Sequence, residues 1–355
     1  MLRQANFMRR GTVLTQQLII TRPDDWHVHF RDGAMLEHTV PATACHMGRA
    51  LVMPNLTPPL TSLSSVLAYR ERILFAAKAY PHFTPYMTLY LNEYVDPEVF
   101  KAVQEHRFIL GAKLYPAGVT TNAEAGARSI QALYPVFEAM QAADVVLQVH
   151  GEVLDGDIFE REALFIEREL KPLIQHFPKL RVVLEHISTE AAVDFVRDGP
   201  RTLAATITPH HLLYNRNQLL AGGIRPHYYC LPILKHANDQ RALQVAAMSG
   251  NPKFFAGSDS APHGIHQKEC SEGCAGIFSA PFALSMYAEV FDAVGALDKL
   301  DAFLGRFGAE FYRLLPSSDK IQLTRQPLDV PRHLDLGQTQ VVPVNAGGRF
   351  AWSVQ

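Results

Sequence analysis

Two histidines one residue apart, His27 and His29, lie in the run Asp25-Trp26-His27-Val28-His29-Phe30-Arg31-Asp32-Gly33. If that run is a strand, alternation turns both imidazoles to one face, roughly 6.6 Å apart at about 3.3 Å rise per residue. Rings at that separation can share one ion, with zinc–nitrogen bonds of ~2.0–2.1 Å. Taken alone, the pattern is weak and reads first as ordinary strand or loop histidines. The same chemistry recurs in His150-Gly151-Glu152, in Glu185-His186-Ile187-Ser188 and in Gly257-Ser258-Asp259-Ser260-Ala261-Pro262-His263. Imidazole with carboxylate is the ligand set of zinc and related divalent ions, and thiolates are missing from it here. Four histidines and an aspartate, each at the end of an apolar run, are hard to explain separately and together point to a metal site.

Lys113 raises a different question. In Phe108-Ile109-Leu110-Gly111-Ala112-Lys113-Leu114-Tyr115 its ammonium would be buried among apolar neighbours, which is costly unless the charge is altered or paired. Either the side chain snorkels to the surface, or its amine captures CO₂ as a carbamate whose two oxygens can bridge metals about 3.5–4 Å apart.

These residues need a frame that gathers them. Eight apolar runs read as strands: Asp25–Phe30, Arg49–Met53, Tyr86–Leu91, Phe108–Leu114, Val145–His150, Arg181–His186, Ala204–Thr208 and Phe254–Gly257. Amphipathic helical stretches lie between several of them, at Ser64–Ala79, Ile130–Ala142, Ile158–His176 and Thr189–Asp198. Such alternation predicts an α/β fold, a TIM-type (β/α)₈ barrel, whose C-terminal rim gathers the polar strand ends. From about Ser317 to Gln355 the chain turns Pro-rich with short β runs at Ile321–Leu323, Gln340–Val344 and Arg349–Trp352. That segment reads as a C-terminal extension packed on the barrel, so 1–355 is expected to be one domain. Residues 1–17 read as a leader ahead of a first strand, with Arg3, Arg9, Arg10 and Arg22 and no acid in the first 23 residues.

A net charge of −2 in 355 residues gives no electrostatic footprint for nucleic acid or a membrane surface. No apolar run reaches the eighteen or so residues of a membrane span. The four cysteines are too sparse for a disulfide framework, and reduced thiols fit a cytoplasmic location. Cys270 and Cys274 read as parts of a Gly-rich loop and not as a metal pair.

In this order on a barrel pattern, His27-x-His29, Lys113, His150, His186 and Asp259 resemble the amidohydrolase superfamily. Finer matches resemble its dihydroorotases of the short, bacterial, homodimeric type. They are the run Asp25–Gly33, Met53-Pro54-Asn55, Gly111-Ala112-Lys113-Leu114-Tyr115-Pro116-Ala117-Gly118, His150-Gly151-Glu152, Glu185-His186-Ile187, Ile207-Thr208-Pro209-His210-His211-Leu212, and Gly257–His263. The similarity runs from about Leu18 to the end of the chain.

That resemblance implies a zinc enzyme of pyrimidine biosynthesis that reversibly cyclises N-carbamoyl-L-aspartate to dihydroorotate. It implies two zinc ions per subunit, bridged by carboxylated Lys113 and a hydroxide. His27, His29, Lys113 and Asp259 would hold one ion, and Lys113, His150 and His186 the other. Asp259 would shuttle the proton. The family places Arg31, Asn55 and His263 on the substrate carboxylate, and backbone near Leu231 and Ala275 on the pyrimidine edge. It makes Pro116–Asn122 a mobile loop with Thr120 and Thr121 reaching the substrate, and adds His150 to the binding residues. His210 and His211 read as structural.

Two other readings compete. A hydantoinase or allantoinase would act on another cyclic ureide. Those relatives usually begin with a β-sandwich segment, for which the 26 residues ahead of His27 are too few. A silent binding or scaffold member would be expected to lack metal ligands, whereas this chain keeps every one.

Overall fold

The computed structural model describes residues 16–355. Most of the expected leader, with Arg3, Arg9 and Arg10, therefore lies outside the described residues. A first strand, β1 (Gln17–Thr21), precedes eight barrel strands: β2 (Asp24–Val28), β3 (Arg49–Val52), β4 (Thr84–Leu91), β5 (Ile109–Leu114), β6 (Val146–Val149), β7 (Val182–Leu184), β8 (Leu203–Ile207) and β9 (Phe254–Ala256). The eight pair in parallel in sequence order. Each lies within two residues of its expected bounds.

Main-chain contacts draw the two edges together. Val28 bridges Ser260 in parallel, and the Asp259 and His29 amides donate to the His27 and Ser260 carbonyls. Buried Asp25 ties the same seam, accepting 2.7 and 2.5 Å bonds from the Ser258 amide and hydroxyl.

Parallel strands are covered on both faces, which is why they read as continuous apolar runs. Alternate residues divide the labour. Ala50, Val52, Leu147, Val149, Val182 and Leu184 join the large cluster shared with the helices. Leu51, Met53, Val146, Val183, Ala204 and Phe255 form an interior floor with Trp26, Phe307 and Tyr312. Trp26 stacks on Tyr312 at a centroid distance of 4.6 Å. Gly308 lies so close that a Cβ there would sit 2.0 Å from Trp26 Nε1.

One strand breaks the alternation. The β2–β3 register shifts between Asp25 and Val28, as in a bulge. Trp26 therefore joins the floor while its neighbour His27 also faces inward, against Glu185.

The expected helices appear at Leu63–Ala76, Tyr134–Ala143 and Glu190–Asp198. The stretch expected from Ile158 begins at Arg161 and reaches His176 through a π-helical turn at Ile166–Leu170. Beyond the barrel, β10 (Lys320–Thr324) pairs antiparallel with β1 on one side and with Ser353–Val354 on the other. Ile321, Leu323 and Trp352 are buried in the helix-side core. No helix among the described residues is long and apolar enough to cross a membrane.

Candidate metal centre and ligand cavity

The strand ends converge. His27 Nε2 lies 3.2 Å from His29 Nε2, and Asp259 Oδ1 lies 3.3 and 3.1 Å from the two nitrogens. The His186 ring is 5.0 Å from that of His27 and 4.7 Å from that of His150, centroid to centroid. All of these side chains are buried. Arg31, His186 and Asp259 are among seven described non-glycine residues with positive φ, at 60°, 42° and 45°. Left-handed backbone at three site residues is strain that the surrounding fold must hold in place.

The faces of the rings turned away from the centre are held by acceptors. His27 Nδ1 lies 2.8 Å from Glu185 Oε2, which also accepts from the Thr206 hydroxyl at 2.6 Å. His29 Nδ1 lies 2.8 Å from Asn55 Oδ1, and His150 Nε2 lies 2.8 Å from Glu152 Oε2. An oxygen acceptor draws the proton to the ring nitrogen it faces, which leaves the opposite nitrogen as a lone pair. The lone pairs of His27 and His29 thus meet a carboxylate oxygen with no donor between them, an arrangement that a cation relieves. Two orphaned buried atoms fit the same reading. Neither Lys113 Nζ nor His186 Nδ1 has a hydrogen-bond partner among the described residues.

The electrostatics agree. Burial pushes the His29 pKa down to about 4 and holds His150 and His186 below the usual histidine range, keeping the rings neutral and able to ligate. Burial alone would raise Asp259, but His27 and the neighbouring histidines outweigh it and hold the carboxyl well below the usual range. Burial brings Lys113 down to about 8.

Above the centre opens a cavity lined by His29, Arg31, Asn55, Tyr115, Thr120, Thr121, His150, His186, Leu231, Asp259, Ala261, Ala275 and Gly276. His27 and Lys113 do not line it, and neither does His263. Arg31 donates from Nε to the Pro262 carbonyl at 3.1 Å and from Nη2 to His263 Nε2 at 2.9 Å. Burial and the adjacent guanidinium push His263 down to about 2, so it accepts as a neutral ring. These bonds orient the Arg31 fork, whose Nη1 has no hydrogen-bond partner among the described residues and can meet an anion. Asn55 is committed to His29 through Oδ1, and its amide nitrogen faces the Thr121 carbonyl at 3.4 Å. Thr121 Oγ1 accepts from the Ala275 amide at 3.2 Å, which docks the Pro116–Asn122 loop on the far wall.

His210 and His211 lie with Cys230 in a second buried group of metal-ligating types, outside the cavity lining. Both ring nitrogens of His211 are engaged, with Thr208 Oγ1 at 2.7 Å and the Pro232 carbonyl at 3.0 Å. Burial raises the Cys230 thiol, which disfavours the thiolate a metal needs. Sequence reasoning assigned no role to Tyr115, Glu152 or Glu185. The first stands two residues beyond Lys113 on the same strand face. The two acids flank histidines in His-x-Glu and Glu-His, the pattern of a carboxylate orienting a ligand.

A model of the amidohydrolase family matches residues 19–303. The chain belongs to the amidohydrolase family. A dihydroorotase of Coxiella burnetii is 52% identical over 342 residues, 96% of this chain and 98% of its own length. The Saccharomyces cerevisiae dihydroorotase solved with 5-fluoroorotic acid superposes with a TM-score of 0.89 at 36% identity, covering 96% of this chain and 98% of that one. An L-hydantoinase of Arthrobacter aurescens shares the fold at 16% identity and a TM-score of 0.74, covering 95% of this chain and 83% of that one.

Proposed function

We propose that the chain is a metal-dependent dihydroorotase, opening the ring of dihydroorotate to N-carbamoyl-L-aspartate and closing it again in pyrimidine synthesis. The observation that carries this reading is the convergence of His27, His29, His150, His186 and Asp259 with an unpartnered, buried Lys113, beneath a cavity whose wall offers Arg31. Relatives of the same length, named dihydroorotases, support it.

The residues fit two zinc ions. His27, His29 and Asp259 would hold one, His150 and His186 the other, and Lys113, carboxylated at Nζ, would serve both. When bound, such a pair supplies an activated water at neutral pH and polarises the ring carbonyl. Carboxylation answers the cost of burying the Lys113 amine without a partner, because it replaces a cation that would repel metals with an anion that binds them.

Asp259, ionised at the cavity floor, is the proton carrier. In ring opening a C–O bond forms at the amide carbon and the C–N bond breaks, while Asp259 takes the proton of the attacking water and delivers it to the departing nitrogen. In ring closure it takes the proton of the ureido nitrogen. Arg31 Nη1 pairs with the substrate carboxylate, and His263 and Pro262 hold the guanidinium in aim. Asn55 borders that anion site while fixing His29. His150 contributes an edge of the cavity, Leu231 and Ala275 offer main-chain groups to the pyrimidine edge, and Thr120 and Thr121 close over it. In this reading 1–355 is a single barrel domain, with 1–17 as a leader and about 317–355 as a C-terminal extension packed on the barrel. The enzyme works as a cytoplasmic homodimer.

Hydantoinase or allantoinase activity is the alternative. An arginine held beside a neutral histidine at the cavity wall favours a carboxylated ring, and the dihydroorotase solved with 5-fluoroorotic acid holds a ligand of that type. The test is ring opening of dihydroorotate by purified protein, beside hydantoin and allantoin, with zinc counted per chain. Turnover of dihydroorotate with two zinc ions per chain is expected; turnover of hydantoin alone, or a metal-free active protein, would overturn the reading.

A further inference from the structure

Lys268 is a buried lysine on the short turn Ile265–Lys268, with no part in the chemistry above. Its Nζ donates to three main-chain carbonyls, Tyr229 at 2.8 Å, Cys274 at 2.8 Å and Gly276 at 2.7 Å. Three donors meet three acceptors, so the ammonium is saturated. The carbonyls come from two separate segments. One leads into Leu231, and the other brackets Ala275 and includes Gly276, all three of which line the cavity. The segments also bond directly, the Gly276 amide donating to the Tyr229 carbonyl at 3.0 Å. Ala275 is in turn the docking point of Thr121.

We infer that Lys268 is a positioning residue for substrate recognition, its ammonium tying the Tyr229–Leu231 and Cys274–Gly276 segments into one wall that presents Leu231 and Ala275 to the ring of the substrate. The inference rests on the function proposed above and extends it to a residue away from the metal centre.

The physical case is preorganisation. A loop wall left loose must be ordered when the ligand arrives, and that cost weakens binding. Bonds to a charged donor are stronger than neutral ones, so one ammonium holds three carbonyls more firmly than main-chain pairing alone. Burial lowers the Lys268 pKa to about 8, which leaves it mostly charged at neutral pH. Gly276, at φ +148°, approaches the Ala261 carbonyl so closely that a Cβ would sit 2.6 Å from it, so the wall has little room to shift without cost.

The test is the variant Lys268→Met in the full chain. KM for dihydroorotate should rise about tenfold. The kcat should stay within about threefold and zinc content should not change, because no atom of Lys268 reaches the reacting bond. Lys268→Arg, which keeps the cation, should recover most of the loss, and Lys268→Gln serves the same comparison if the Met variant does not fold. An unchanged KM in a folded Met or Gln variant, or a fall in kcat matched by loss of zinc, would overturn the assignment. Amide hydrogen exchange needs no turnover and separates this inference from the functional reading. In the Met or Gln variant, exchange should quicken at residues 229–232 and 274–277 and stay unchanged in the barrel strands. Unchanged exchange at those two segments would defeat the role of Lys268 even in an active enzyme, while an inactive wild type would defeat only the functional reading.

Discussion

The floor and the rim of the barrel are built by the same strands and follow opposite rules. Strand β6 gives Val146 to the floor and Gln148 to the middle, with His150 one residue past its end at the rim; β7 gives Val183 with Glu185 just beyond it, and β9 gives Phe255 with Asp259 beyond it. At the floor, apolar side chains interlock around the Trp26–Tyr312 stack, where the Tyr312 hydroxyl accepts from Gln148 at 3.1 Å and Trp26 Nε1 is buried without a partner among the described residues. At the rim, a few residues along the same strands, ionisable groups such as Lys113 Nζ and His186 Nδ1 are buried without partners among the described residues, and three residues carry left-handed backbone. The floor supplies cohesion that lets the rim hold groups which would otherwise drift into better-satisfied positions. Stability and chemistry are separated along the barrel axis.

The sharpest way to break this division is at Lys113. Lys113→Ala should remove bound zinc and turnover together, while the metal-free protein loses little or no stability, because the variant deletes a buried amine without a partner. A metal-loaded, active variant, or one whose metal-free form melts far below the wild type, would show that the lysine belongs to the cohesive part. Next in size is Asp259→Asn, a near-isosteric change that removes the proton carrier. The kcat should fall by about 10²–10⁴ with the unfolding midpoint almost unchanged, and near-normal turnover would take the proton role from Asp259.

The converse experiment addresses the floor. Trp26→Ala empties the stack on Tyr312 and should cost about 3–5 kcal/mol in denaturant unfolding, while the folded fraction keeps most of its kcat. A stable but inactive Trp26→Ala protein would erase the distinction. The smallest effect concerns Glu162, a carboxylate buried beside the rim that accepts from the Ser188 amide at 2.9 Å and from the Thr189 hydroxyl. Burial raises its pKa from 4.5 to about 7, against the opposing pull of Lys235. Between those values the folded chain binds more protons at this site than the unfolded one, so this group's contribution to stability falls as pH rises from about 4.5 to about 7. Glu162→Gln lacks that term. The stability difference between variant and wild type should therefore shift in the variant's favour across that window, by at most about 3 kcal/mol. A difference that stays flat with pH would mean Glu162 is ionised in the folded state throughout.

Much of this architecture is legible locally. A buried parallel strand leaves a run of apolar residues, and its helix leaves an amphipathic period, so the eight strands and their order follow from short windows of sequence. The histidines and Asp259 are legible because ligands must fall at strand ends. Asn55 shows where local reading stops. The family pattern puts it on the substrate carboxylate, whereas its Oδ1 here holds His29, a partner 26 positions away in sequence. Glu152 holds His150, two positions away in sequence, but Glu185 holds His27, 158 positions away, and not the adjacent His186, which depends on how two strands face each other.

The linear order of residues thus settled the strand sequence, the chemical types at the strand ends and the apolar content of the floor, since each depends on neighbours within a few positions. Tertiary structure alone decided that a bulge turns Trp26 and His27 both inward, that Lys113 Nζ has no partner among the described residues, and that Lys268 joins the nearby Cys274 and Gly276 carbonyls to that of Tyr229, 39 positions away. Those outcomes depend on register and burial between parts of the chain up to some hundreds of residues apart, which no local periodicity encodes.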